Sequence, residues 1–245
     1  MIWPPPDTSY PQAVWIAASR LDHKTYGLYV HGRTYAPHQL LIAQAFTQLV
    51  NGELLHPVTG DVVHNLAISG PPRHGKTTVV DEHGICRFLG HWPWKSVMFF
   101  TSSDNLAAAY DAAIAHTLAQ NERHAAVFPQ AEPDYKKGWS TERGRYLMLT
   151  PGKDPAFKAY GMGAEVLGIG ADLIVMDDPI GERDEKSPAS MADRKGFYDS
   201  TISNRANPGA FQVFIGHRWG PDDFLDHLVK NWGFAWLNLP ALSEN

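Results

Sequence analysis

The chain has a single cysteine, Cys86. It can form no internal disulfide, so a disulfide-stapled secreted scaffold is excluded. No apolar run approaches the ~18 residues that a membrane-spanning helix needs, and the N-terminus carries no charged-then-apolar leader. The expected setting is therefore reducing and cytoplasmic, with no membrane as partner. Neither charge sign dominates: 21 Lys and Arg stand against 26 Asp and Glu, a net of -5. That balance excludes a surface that is basic all round, so any nucleic-acid contact has to be a local strip or be shared with other chains. Histidine is frequent, at 12 residues, but none has a second histidine at a metal-ligand spacing such as H-x-x-x-H, and Cys86 has no C-x-x-C partner. A structural metal is not expected. Internal repeats and low-complexity tracts are also missing.

What is present is core material. Hydrophobic residues make up 44% of 245 and aromatics 11%, enough for one large domain or two small ones. Residues 1–36 are rich in proline and aromatics (Trp3-Pro-Pro-Pro6, Tyr10-Pro11, Trp15) and read as an N-terminal arm, with an apolar Tyr26–Val30 segment. Residues 37–245 read as the folded domain. Pro37-His38-Gln39 opens a helix in which Leu40, Leu41, Ala45, Phe46, Leu49 and Val50 recur at helical spacing, and Asn51-Gly52 closes it. Asn65–Ser69 is a short buried strand, followed by a glycine-containing loop and a helix from Lys76 to about Leu89. Ser96–Thr101 is a second strand, and Asp104 is placed to cap an alanine-rich helix running to about Asn121. Glu132–Phe157, with its proline and glycine punctuation and a short strand Arg145–Leu149, reads as an inserted hairpin. Ala171–Met176 is an apolar strand ending in Asp177-Asp178, Ser187-Pro188 starts a helix, Phe211–Ile215 is a fourth core strand, and Phe234–Leu239 is a last one. Near-continuous apolar strands alternating with helices predict an α/β fold with a mostly parallel sheet covered on both faces.

Gly70-Pro71-Pro72-Arg73-His74-Gly75-Lys76-Thr77 fits the phosphate-loop pattern between a strand and a helix, the context that pattern requires. The glycines let backbone N–H groups curl around phosphate oxygens, and the helix start adds its dipole. Lys76 brings a compact positive charge to the terminal phosphates of ATP. The Thr77 hydroxyl is a hard oxygen suited to Mg2+, and Thr78 closes the cradle. Asp177, at the tip of the apolar strand, would hold the same Mg2+, and Asp178 would orient the attacking water. The bland alternative for the two aspartates is a polar strand-to-loop turn. A whole strand-helix unit separates the loop from the acidic strand, which is similar to RecA-like (ASCE-type) motors and helicases. His217 and Arg218, at the end of the fourth strand, are then candidates to touch the γ-phosphate.

The combination of Pro71–Thr77, Gly170–Ile180, Asn207-Pro-Gly209 and Phe214–Asp223 resembles the large terminase subunits of tailed bacteriophages over nearly the whole chain. The resemblance implies the ATPase half of a DNA-packaging motor. Its partners would be double-stranded DNA, a portal protein, a small terminase subunit and further copies of the chain in a ring on the capsid, all in the host cytoplasm. It also implies an adenine contact at Gln39, with Tyr35 packing on the base, although an ordinary helix start explains Pro37-His38-Gln39 equally well. Two departures stand out. The family often has an arginine just before the acidic strand, where this chain reads Leu167-Gly168-Ile169-Gly170; a neutralising arginine would come from Arg73, or from Arg143 or Arg145 acting on a neighbour. The ribonuclease-H-like nuclease that normally follows is expected to be absent, so no DNA cleavage is expected. Lys136-Lys137 with Trp139 and Arg143 is the most basic stretch and a candidate for DNA contact, against the plainer reading of a solvated hairpin. A helicase lobe, a phosphotransferase acting on a small acceptor and a domain that keeps nucleotide only for stability remain open as alternatives.

Overall fold

The computed structural model describes residues 10–136, 139–140, 146–150, 152, 154–166, 168–181, 184 and 186–240. Six strands form its centre: β1 (Asn65–Ser69), β2 (Val97–Thr101), β3 (Phe157–Gly161), β4 (Ala171–Asp177), β5 (Ala206–Gly216) and β6 (Ala235–Asn238). Every pairing between them is parallel, in the order β3-β2-β4-β5-β1-β6. The chain moves outward from β1 to β2, comes back to β4, and then inserts β5 between β4 and β1. That is the RecA-like arrangement, in which the strand leading into the phosphate loop and the acid-tipped strand are separated by one strand.

Alternation along each strand divides the core between the two faces. Phe99, Leu173, Val175, Val213 and Ile215 point to one side, where they join Tyr26, Ile42, Phe46, Val79 and Phe157. Met98, Phe100, Ile174, Met176 and Phe214 point to the other and meet Tyr198, Phe224 and Leu228. Burying a side chain such as Phe99, which is 0% exposed, contributes about 1.5–3 kcal/mol. The first face is covered by α1 (Gln12–Leu21), α2 (His23–His31), α3 (Pro37–Val50), a π-helical segment Thr78–Gly84 that continues as α4 (Ile85–His91), α5 (Asp104–Gln120) and α6 (Glu122–Val127). The second is covered by α7 (Pro188–Phe197), with the turns after it, and α8 (Phe224–Trp232). No helix among the described residues is long and apolar enough to cross a membrane.

Several local expectations change. Residues 12–31, read as part of an arm, form α1 and α2, and Tyr26, Tyr29 and Val30 enter the core. Ser103, not Asp104, caps α5: its Oγ accepts from Leu106 N–H at 3.4 Å, because the Asp104 carboxylate is taken by the Gly161 N–H at 2.9 Å. Asn207-Pro-Gly209 forms a bulge at the start of β5, where Ala171↔Ala206 and Leu173↔Phe211 are successive partners and Gly209 has φ +77°. Within the expected hairpin, only the isolated antiparallel bridges Pro133–Met148 and Tyr146–Phe157 are described; Arg145 lies outside the described residues. Phe157 then begins β3, an edge strand that its half-exposed Lys158-Ala159-Tyr160 stretch hides from a reading based on apolar runs.

Candidate nucleotide site

Parallel register brings the C-terminal ends of three strands level. Ser69 is opposite Gly216, and Asp177 is opposite Ile215 one step before it. In open α/β sheets this edge is where ligands bind. Residues 70–77 leave β1 here. Gly70 is in tight quarters, since a Cβ there would meet the Leu239 carbonyl at 3.1 Å, and Gly75 takes φ +72°. Arg73 also has positive φ, at 61°, and is exposed, so a non-glycine residue holds a strained backbone in the middle of the loop.

Lys76 is only 5% exposed and its ammonium donates to the carbonyls of Gly70 (2.9 Å) and Pro71 (2.7 Å). Burial lowers its pKa, while Asp178 and Asp177 act to raise it. The Thr77 hydroxyl donates to Asp177 Oδ2 at 3.0 Å, a link from the loop to the tip of β4. Tyr110, from α5, donates to the same oxygen at 3.3 Å. Asp177 Oδ1 is buried and receives no hydrogen bond from a described N–H or from a hydroxyl. Burial first, then Asp178, raises the Asp177 pKa to about 6, while contacts with Asp81, Thr77 and Tyr110 hold it down. The hard oxygens of Thr77 and of Asp177 Oδ2, brought together at the foot of the loop, suit Mg2+.

Asp178 follows with φ 39°, its N–H on the Ile215 carbonyl at 2.9 Å. Burial raises its pKa and His217 and Lys76 oppose the rise. His217 completes the ring of contacts: Nδ1 is 3.1 Å from the Gly70 carbonyl and Nε2 is 3.5 Å from Asp178 Oδ2. Lys76, Thr77, Asp177, Asp178 and His217 are thus brought together.

The remaining sequence candidates sit at the margin. Arg218 borders the same cavity as Gly70, Pro71, Pro72 and His217, and pairs with Asp226 at 2.8 Å and Asp223 at 3.5 Å, 5.2 Å above the Trp236 ring. Gln39 reaches the loop: Nε2 donates to the His74 carbonyl at 3.3 Å, and Oε1 accepts from the Ala36 N–H at 2.9 Å. His38 supports the same carbonyl at 2.9 Å, and the His74 ring contacts the Pro72 carbonyl at 2.8 Å. Tyr35 turns its hydroxyl to His83 Nδ1 (2.6 Å) and stacks on that ring. Thr78 opens the π-helical segment.

No protein-family model matches the chain, and no curated protein matches it. One solved structure it is similar to is the large terminase from a thermophilic bacteriophage. The two are 14% identical with a TM-score of 0.48, over 86% of this chain and 48% of that one. The chain spans about half the length of that protein.

Two residues of the site were missed in the sequence. Asp81 lies four residues after Thr77, on the same side of the helix, so helical spacing alone would have found it. Tyr110 is on a different helix and has no local signal. Of the expected basic strip, Lys136 is exposed and Trp139 packs edge-on against Tyr146, whereas Lys137 and Arg143 lie outside the described residues.

Gly75→Ala tests the loop directly. A Cβ at that position would stand 2.1 Å from Gln39 Nε2, on a backbone that side chains disfavour. We expect nucleotide affinity to fall about tenfold or more, as ~1.4 kcal/mol of strain would require. Calorimetric titration measures it, and unchanged affinity would contradict the cradle.

Proposed function

We propose that the chain is an ATP hydrolase, the ATPase part of a motor that drives double-stranded DNA into a phage procapsid. The observation that carries the hydrolase reading is the Thr77–Asp177 hydrogen bond of 3.0 Å, joining the loop to the acid-tipped strand beside the buried Lys76. The motor reading is supported by the terminase-like order of the loop, the Asp-Asp-Pro turn, the Asn-Pro-Gly bulge and the His-Arg-Trp strand end.

Each residue has a part in this reading. Loop N–H groups and Lys76 bind the phosphate oxygens, with the ammonium neutralising charge that develops between the β- and γ-phosphates. Thr77 and Asp177 would hold Mg2+, which would supply Lewis-acid stabilisation at the phosphates. Asp178 accepts a hydrogen bond from water and orients it in line with the γ-phosphorus. His217 bridges Asp178 and the loop, so a change at the phosphate reaches β5 through it. Arg73, on the exposed rim, is the loop's own candidate for a second positive charge. Gln39, through His74, links the same loop to α3.

The test is ATP hydrolysis with DNA present. Hydrolysis stimulated by double-stranded DNA, and DNA entry into procapsids bearing the portal, are the expected results. Strand separation without packaging would instead identify a helicase lobe, and phosphate transfer to a small acceptor would identify a kinase.

A further inference from the structure

Asp81 is fully buried in the π-helical turn that follows the loop, a widened turn of the kind that gathers at functional sites. Neither of its oxygens receives a hydrogen bond from a described N–H or from any serine, threonine or tyrosine hydroxyl among the described residues. Placing a carboxyl where nothing donates to it works against folding, and an apolar residue of similar size would fill the space more favourably. Its contact is Asp177. The two oxygens of Asp177 are treated differently. Oδ2 takes both the Thr77 hydroxyl (3.0 Å) and the Tyr110 hydroxyl (3.3 Å), on the side of the loop. Oδ1 is closed off from solvent and meets none of these donors. A carboxylate held by one oxygen can rotate about its Cβ–Cγ bond, and a polar partner at its other oxygen, which an apolar side chain of the same size cannot supply, removes that freedom.

We propose that Asp81 is a positioning residue: buried against Asp177, it fixes that carboxylate with Oδ2 turned to Thr77 and so sets the affinity of the site for magnesium. The proposal rests on the nucleotide reading of the loop. It assigns Asp81 no direct contact with metal or substrate. Groups that hold a metal-binding side chain from behind typically govern metal affinity by about 10–100-fold.

The experiment is binding of a fluorescent ADP analogue to the full chain, with Mg2+ titrated from zero, for the wild type and for Asp81→Leu and Asp81→Asn. Thermal melts run alongside. In Asp81→Leu, metal-free affinity is expected to stay within about twofold, while the gain in affinity that Mg2+ brings shrinks about tenfold or more. Asp81→Asn keeps the shape and offers an amide donor to Asp177, so most of the gain should return. If the leucine variant does not fold, Asp81→Ser, too short to reach Asp177, replaces it with the same expected loss. Full Mg2+ gain in the leucine or serine variant would overturn the proposal, leaving Asp81 as a space-filling group. Equal loss in the asparagine and leucine variants would also overturn it, by making the charge itself the requirement. A wild type that binds no nucleotide would refute the underlying reading instead, and is recognised by the absence of any signal before a substitution is made.

Discussion

Lys76→Ala is expected to lower ATP hydrolysis by about 10²–10³-fold or more while the fold persists. The ammonium is nearly out of solvent, is held by two loop carbonyls and faces two carboxylates across the loop. In such a low-dielectric pocket, a charge aimed at a developing phosphate charge is worth far more than in water. Removing it leaves the carbonyls of Gly70 and Pro71 without that donor, but the strands and helices around the loop do not depend on it. Lys76→Arg should fare little better, because a planar guanidinium does not fit a cradle shaped for a compact ammonium. Phosphate release measured against melting temperature separates the outcomes. Turnover within a few-fold of wild type, with an unchanged melt, would remove Lys76 from the chemistry.

The second large effect is acid unfolding. Beneath the loop helix, His23, His31, His83 and His124 are packed with Tyr26, Tyr35 and Phe128; the rings of His31 and His83 stack at 4.0 Å and the Tyr26 hydroxyl meets His124 Nδ1 at 2.8 Å. Burial pushes His23 and His124 down to about 3 and His31 to about 4, and lowers His83 well below its usual range, with Arg87 and Arg33 adding to the effect at some of them. The folded state therefore refuses protons that the unfolded chain accepts near pH 6.5. Their contribution to stability is intact above that pH and is lost as pH falls from about 6.5 toward 4. Each unit of pH costs about 1.4 kcal/mol per histidine in that window. The raised carboxyls of the Asp81–Asp177 pair act in the opposite sense, taking up a proton while folded and offsetting part of the loss. The net decline between pH 7 and pH 5 is expected to be about 4–5 kcal/mol, comparable with the whole stability of a small domain. Circular dichroism against pH should place the unfolding midpoint near pH 5, and His124→Gln should move it to lower pH. A midpoint below 4 that His124→Gln leaves in place would contradict the linkage.

Local chemistry was legible in the sequence, and contacts between distant elements were not. The phosphate-loop pattern is complete in eight consecutive residues, and β4 announces itself by an apolar run that ends abruptly in two aspartates. The strand-helix unit between them pointed to the RecA-like class and a mostly parallel sheet, but not to the order of the strands. By contrast, α2 carries its core residues Tyr26, Tyr29 and Val30 in a sequence broken by glycine and histidine, so its apolar face was too interrupted to read as a helix. Tyr35 was read beside Gln39 as a group for the adenine base. Its ring is drawn inward by His83, on a segment 48 residues away, which no local pattern encodes. Arg218 is likewise paired with Asp223 and Asp226, both downstream on α8 or its cap, contacts that the reading of the strand end did not include. Asp178 and His217, at the ends of adjacent strands, could be brought together only by the insertion of β5 beside β4.

If the loop, Thr77 and Asp177 make a single Mg2+-dependent triphosphate site, the most direct test is calorimetric titration of the chain with a non-hydrolysable ATP analogue, with and without Mg2+. One site per chain is predicted, bound more tightly with Mg2+ than without it, and abolished by Lys76→Ala. No heat of binding at millimolar analogue, or binding that ignores both Mg2+ and the Lys76 substitution, would contradict it.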